Sequence, residues 1–462
     1  MKTKLWIVLA LAMVTVFTMG AAAPVSQAPA GTQTALVGYI AGNGKVATPT
    51  ASVTKQNGNK NLLTVTVTER YTSIDREVVS TEQFSIDNNA AGTYKVGNYN
   101  VYVDTKGNTQ IRDCYIVSSD PTSLSTFTRL DESGLYYMEY LEDYKFDDFL
   151  QVGAANDEEL AAYLQDVLLD GLPVEITPPA YGCSVFSGEL EDSGDRILAR
   201  NFDNSDAPFM IVETNPENGF KSISTVNLSF IGYTKAGLLE YENETEDFLL
   251  PTLVAPYVPL DGVNEKGLAI GVLQLNYLGA RQADATKIDL PTTTMIRLIL
   301  DQAETVDDAL DLMRQYNMRD SLSMLKTLDV DFPSFHYQIS DKSGRSVVVE
   351  YVNNVMKVIE QKEGENYHFV TNFFLSPEAE SLPGIGSTVK PSYASTCWRY
   401  NGMKAVLEAN GGIFADEMAA MDLLNAVKQS STLWSVVYNL EKLTVTFVPM
   451  RQYDKPAYLF AV

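Results

Sequence analysis

Cys183, Arg200 and Asp203 are the residues whose types and spacing could do covalent chemistry in this chain. They lie in Tyr181–Asp203, YGCSVFSGELEDSGDRILARNFD, where apolar and polar residues alternate from Val185 towards Leu190. Asp192-Ser193-Gly194-Asp195 then breaks the pattern, and Ile197-Leu198 leads into Arg200-Asn201-Phe202-Asp203. Two period-two runs around an Asp-Ser-Gly turn read as a β-hairpin. The hairpin returns its second strand beside the thiol, which gives a nucleophile a cation and a carboxylate. The bland alternative is a small buried cysteine on a hairpin with a charged rim, since cysteine is among the most buried residue types.

A thiol attacks an amide as thiolate, and a free cysteine has a pKa of about 8.5. Cysteine proteases lower that value with an imidazole. This chain has two histidines, His336 and His368, and neither stands in a context that suggests pairing with Cys183. His336 sits in a strand-like run and reads as a sheet residue. A cysteine at a chain terminus needs no histidine, because its α-amine, with a pKa of about 7.7–8.0, can take the thiol proton. That amine exists only if the Gly182–Cys183 bond is cut. Gly182 carries no side chain, so it allows close approach at that bond.

The elements that would position these groups follow from the rest of the chain. At 462 residues two or three units are expected, and an apolar share of 45% supplies ample core. A net charge of −25 argues against nucleic acid and anionic membrane surfaces as partners, both of which need basic patches. Three cysteines, Cys114, Cys183 and Cys397, make neither a disulfide framework nor a zinc site. No metal or organic cofactor is expected.

Lys2 and Lys4, the apolar run Leu5 to Met19 and Gly20-Ala21-Ala22-Ala23-Pro24 form an export signal cut near Ala23. The mature protein is expected to be secreted or held at the cell surface, with no other membrane segment. Residues 24–34 read as a linker. Residues 35–120 read as a small all-β, sandwich-like domain, from alternation such as Leu63–Thr68 and turns such as Lys106-Gly107-Asn108. Residues 121–182 are acidic and aromatic, and read as a helical linker. Within them Asn156 is expected to cap a helix through Leu160, Leu164 and Val167, with Glu159 at its third position. Residues 183–462 read as one catalytic domain. It holds two core helices between Pro291 and Tyr316, the second opened by a Thr305–Asp308 capping box, and several further strands.

The run Cys183, then Ala199-Arg200-Asn201-Phe202-Asp203, resembles the cysteine-type N-terminal nucleophile (Ntn) hydrolases. That group includes the choloylglycine hydrolase and penicillin V acylase family and the acyl-coenzyme A:6-aminopenicillanic acid acyltransferases. Further matches follow in the family's order. They are Gly262-Val263-Asn264-Glu265-Lys266-Gly267-Leu268, Thr371-Asn372 after a strand, and Arg399 where Ser395–Tyr400 opens a helix. The resemblance implies an α+β fold, a four-layer αββα sandwich, with residues 121–182 standing where a propeptide stands. It assigns Cys183 as nucleophile, its amine as base, and Asp203 as the group holding that amine. Arg200 and Arg399 would favour thiolate and orient the carboxylate, and Asn372 would donate to the oxyanion. A second oxyanion or substrate contact falls on Gln274, with Asn276 close by.

The expected activity is hydrolysis of a linear, non-peptide amide through an acyl-enzyme, after self-cleavage at Gly182–Cys183. The substrate would be a small-molecule amide. Acyl transfer to an amine by the same residues is the alternative within the class. A surface binding protein that keeps the fold without the activity is the alternative outside it. Oligomeric state is not legible.

Overall fold

The computed structural model describes residues 122–462 except 170, 178–181, 205, 240, 242–245 and 321–332. Upstream it describes 39–40, 45–55, 60–71, 76–87, 91–96, 99–105 and 108–114. The expected signal peptide (1–23) and linker (24–34) lie outside the described residues.

Two compact units result, Met1–Ser125 and Thr126–Val462. In the first, Lys45–Lys55, Lys60–Tyr71 and Arg76–Asp87 form an antiparallel sheet edged by Tyr39–Ile40. Gly92–Val96, Tyr99–Val103 and Thr109–Cys114 form a second sheet. The alternating Thr/Val pattern around Leu63–Val67 produces the long strands, since branched residues suit a pleated surface.

The second unit is α+β, with two large sheets. In the seven-stranded sheet Phe369–Val370, Gly182–Leu190, Arg196–Asp203, Thr432–Asn439, Thr444–Pro449 and Tyr458–Ala461 are successive neighbours. Ile413–Phe414 runs parallel beside the far end of Gly182–Leu190. The nine-stranded sheet runs from Val355–Glu360 through Ser346–Val352, Pro333–Asp341, Leu268–Leu278, Asp261–Asn264, Ser222–Asn227, Phe209–Thr214 and Leu135–Tyr140 to Thr128–Arg129.

The outer face of the seven-stranded sheet is covered by helices Trp398–Asn410 and Glu417–Ala426. Met403, Leu407, Met421 and Leu424 from them pack with Phe186, Ile197 and Ala199. Helix Thr292–Gln302 lies on the other sheet, where Tyr337 Oη donates to the Thr292 carbonyl and a Cβ on Gly262 would sit 2.8 Å from Leu300 Cδ1. The inner faces meet around Arg200. A Cβ on Gly271 would lie 3.3 Å from Arg200 Cδ, so the facing strand is bare where the guanidinium stem passes.

Local signals fix the starts of helices Asp157–Val167 and Val306–Gln315. Asn156 Oδ1 accepts from Glu159 N at 2.9 Å, and the Thr305–Asp308 capping box is complete. Within 121–182, Phe146–Val152 and Asp157–Val167 are helical, but Leu135–Tyr140 is a strand paired in parallel with Phe209–Thr214. Its sequence, LYYMEY, is aromatic and half-alternating, which suits a sheet. The acidic composition of the surrounding stretch conceals it.

Candidate active site

The hairpin register fixes what faces what. Gly182 stands opposite Asp203, Cys183 opposite Phe202 and Val185 opposite Arg200. Opposite residues share a face and alternate residues change it, so Cys183, Val185, Arg200 and Phe202 point between the sheets. Gly182, Asn201 and Asp203 point towards the helix layer, where Asn201 Nδ2 donates to the Leu424 carbonyl. The two charged residues therefore serve opposite sides of one strand. Arg200 accompanies the sulfur, and Asp203 accompanies the Gly182–Cys183 main chain.

On the inner face Arg200 Nη2 lies 3.2 Å from Cys183 Sγ, with Cys183 and Arg200 both fully buried. The thiol also approaches the Val272 carbonyl at 3.5 Å. Arg200 Nη1 pairs with Asp261 Oδ2 at 2.6 Å and donates to the Leu260 carbonyl, while Nη2 donates to the Val272 carbonyl. Asp261, also fully buried, accepts from Trp434 Nε1 at 3.2 Å and from Tyr438 Oη. Burial pushes the Asp261 carboxyl up while Arg200 pulls it down. Burial likewise pushes the Cys183 thiol up to about 11, against the lowering pull of Arg200 and, more weakly, of Arg399. With its peptide bond to Gly182 intact, this site holds a protonated thiol at neutral pH.

On the outer face Asp203 Oδ2 accepts from Gln429 Nε2 at 2.7 Å and Oδ1 from Thr432 Oγ1 at 2.5 Å. A Cβ on Gly182 would lie 2.8 Å from Gln429 Nε2 and 3.3 Å from Asp203 Oδ2. A side chain at this position would push against the Gln429 amide and crowd the carboxylate beside the peptide bond.

Asn372 and Arg399 close the site from two other elements. Cys183 N donates to Asn372 Oδ1 at 2.8 Å, and Asn372 Nδ2 donates to the Gln274 carbonyl at 2.7 Å. Arg399, on the first turn of its helix, donates to the Cys183 carbonyl, to Ser184 Oγ at 3.1 Å and to Asn372 Oδ1 at 3.0 Å. Its Nη1 stands 3.7 Å from Asp203 Oδ2. Cys183, Arg200, Asp203, Asn372 and Arg399 thus form one contiguous network, although they come from three separate stretches of chain.

Gln274 joins this network through its main-chain oxygen. Its side-chain amide donates to Asn276 Oδ1 at 3.0 Å, and Asn276 itself is exposed. Asp261, Gln429 and Thr432 escaped the sequence reading. Asp261 opens the Gly262–Leu268 motif and could have been noticed there; Gln429 and Thr432 carry no local signal. Asn264, the polar centre of that motif, is structural. Its Nδ2 donates to the Leu300 and Ala303 carbonyls at 3.0 and 2.8 Å, and its Oδ1 accepts from Lys266 N and Leu268 N, both at 3.1 Å. Gly267 adopts φ +79 and leaves no room for a Cβ against the Leu440 carbonyl. Among the described residues no group of three or more His, Cys, Asp or Glu is placed to hold a metal ion.

With this geometry in view, comparison with known proteins shows what parts of the chain are similar to. Residues 250–372 match the linear amide C-N hydrolases, choloylglycine hydrolase family. The matched segment includes Asp261, Gln274 and Asn372 and lies downstream of Cys183, Arg200 and Asp203. A curated relative is penicillin V acylase of Pectobacterium atrosepticum, 32% identical over 118 residues. That match covers 24% of this chain and 29% of the relative, so the chain spans less than a third of the relative it matches. Similar solved structures include penicillin V acylase from Agrobacterium tumefaciens, 16% identical, covering 61% of this chain and 86% of that one at a TM-score of 0.39. A mutant conjugated bile acid hydrolase from Clostridium perfringens is 14% identical, covering 61% and 92% at the same TM-score.

Proposed function

We propose that this protein is an exported cysteine Ntn hydrolase of the αββα type that cleaves a linear amide C–N bond through an acyl-enzyme on Cys183. The observation that carries the reading is the pairing of Cys183 Sγ with Arg200 Nη2 at 3.2 Å while Asp203 crowds the Gly182 side of the same residue. A thiol already buried beside a cation, one residue past a glycine, suits attack on its own preceding carbonyl.

In the first step Sγ adds to the Gly182 carbonyl and the C–N bond to Cys183 breaks. The acyl group moves to sulfur, and the nitrogen leaves as an amine carrying the thiol proton. Water then hydrolyses the thioester, which frees the thiol and leaves the upstream segment ending in the Gly182 carboxylate. The freed amine, beside Asp203, is the base for turnover. It takes the Sγ proton as sulfur attacks the substrate carbonyl, then gives a proton to the departing amine as the thioester forms. Water repeats the attack to release the acid. Arg399, bound to Asn372 Oδ1, would turn the Asn372 amide towards the developing oxyanion once Cys183 N becomes an amine.

The family match over 250–372 favours small-molecule amides as substrates. Side-chain amides of the penicillin V type and conjugated bile acids are the first to try, with N-acyl amino acids beside them. The upstream strands and the stretch before Gly182 would then be a β domain and a propeptide-like segment, exported behind residues 1–23.

Intact-mass analysis of secreted wild type beside Cys183→Ala tests the reading. Wild type should give a mature fragment beginning at Cys183, and the variant a single uncut chain. Product analysis with and without an acceptor amine separates hydrolysis from acyl transfer. An uncut wild type, or full amide turnover by Cys183→Ala, refutes the reading.

A further inference from the structure

His336 and Glu350 form a second buried polar cluster that the proposed chemistry does not use. They sit on neighbouring antiparallel strands, Pro333–Asp341 and Ser346–Val352, and both are fully buried. His336 Nε2 lies 2.9 Å from the Thr371 carbonyl oxygen, which can only accept, so Nε2 is the donor in that contact. His336 Nδ1 faces Glu350 Oε1 at 3.2 Å. Glu350 Oε1 also accepts from Leu375 N at 2.6 Å, and Oε2 from Ser376 N at 2.9 Å.

These contacts grip one short segment at both ends. Thr371 is held through its carbonyl, and Leu375 and Ser376 through their amides. Between them stands Asn372, whose Oδ1 meets Cys183 N and Arg399 and whose Nδ2 meets the Gln274 carbonyl. Cys397 Sγ adds a contact at 3.5 Å to Thr371 Oγ1 from the helix that carries Arg399. The segment has only two residues of regular strand, Phe369–Val370, leading into it. A turn so little supported by ladder hydrogen bonds depends on side chains for its position. Burial of a histidine and a carboxylate is costly unless every polar atom is engaged, and here the partners are the turn itself.

We propose that His336 and Glu350 are positioning residues for amide turnover, a pair that fixes the Thr371–Ser376 turn and so presents Asn372 to the nucleophile. This rests on the reading of Cys183 as nucleophile. Neither residue touches the reacting atoms. A donor displaced by an ångström loses most of its worth to an oxyanion while leaving substrate binding largely intact, so kcat falls and KM does not.

The test uses the full chain in two arms. In the first, amide hydrolysis is measured for wild type, His336→Leu, His336→Gln and Glu350→Gln, with Cys183→Ala alongside. His336→Leu and Glu350→Gln should lower kcat about 10–100-fold with KM within about threefold. His336→Gln, which keeps a donor near the Nε2 position, should recover to within about fivefold of wild type. In the second arm the same substitutions are made in the uncut Cys183→Ala chain, and amide hydrogen exchange is followed over residues 371–376. His336→Leu and Glu350→Gln should speed exchange at Leu375 and Ser376 at least about tenfold without speeding it in helix Thr292–Gln302. Unchanged exchange at 371–376, or kcat unaltered in His336→Leu, overturns the proposal. Equal amide turnover by Cys183→Ala would instead sink the nucleophile reading, and the exchange arm would still decide whether this pair fixes the turn.

Discussion

Replacing Arg200 by methionine separates what its charge does for stability from what it does for the sulfur. In the Cys183→Ala chain, whose length is uniform, Arg200→Met leaves the Asp261 carboxylate fully buried with Trp434 Nε1 and Tyr438 Oη as donors but without its cation. Breaking a buried ion pair by removing one partner costs roughly 3–5 kcal/mol. Arg200 is also the group that pulls the Asp261 carboxyl down against burial, so in the variant that carboxyl binds its proton more tightly still. A group whose folded pKa is raised keeps its stability below the unfolded value and loses it as pH rises. The penalty should therefore be largest at pH 7.5 and smaller at pH 5, read by urea denaturation at both. Adding Asp261→Asn removes the orphaned charge and should recover at least about 2 kcal/mol at pH 7.5. Amide turnover, measured with Cys183 restored, should stay down at least about 100-fold in both the single and the double variant. A single variant within about 1 kcal/mol of its parent at pH 7.5 would refute the reasoning, as would a double variant no more stable than the single.

Two further outcomes follow from buried polar groups away from the sulfur. Asn264→Ala removes two hydrogen bonds that tie the Gly262–Leu268 turn to the end of helix Thr292–Gln302 and two more within the turn itself. It should cost about 2–4 kcal/mol in urea denaturation yet leave kcat within about threefold, because it lies outside the Cys183 network. Asp320 is fully buried, and burial raises its carboxyl from 3.8 to about 7 against donation from Ala280 N, Ser334 Oγ and Thr292 Oγ1. Its contribution to stability is present below the unfolded value and lost as pH rises towards 7. The stability difference between wild type and Asp320→Asn, followed from pH 4 to pH 8, should fall by up to about 4 kcal/mol, and a flat difference would contradict it.

Much of the local structure was legible because it is written in short-range chemistry. The Asp192–Asp195 turn, the Asn156 and Thr305 caps and the two helices after Pro291 each depend on residues within a few positions of one another. The Leu135–Tyr140 strand was not legible as a sheet member. Its partner is Phe209–Thr214, far along the chain, and its acidic neighbours mask the pattern. Tyr458–Ala461, an edge strand paired with the nearby Thr444–Pro449 and stacked through Phe460 on Tyr137, was missed because four residues are too short a run to show a period. Asn264 carried a motif that looked functional, and only its partners show that it secures a helix end.

What the sequence determined alone was the hairpin, and with it the neighbourhood of Cys183, because antiparallel register follows from the turn. Which charge serves which side of that strand was decided by the second sheet and the helix layer. Arg200 meets sulfur between the sheets, while Asp203 meets Gln429 and Thr432 on the other face. The protonated state of the thiol was also decided there. Sequence puts a cation beside the sulfur, which alone would favour thiolate. Packing removes the water and supplies Asp261 to balance that cation, and in a dry interior desolvation outweighs a charge already paired.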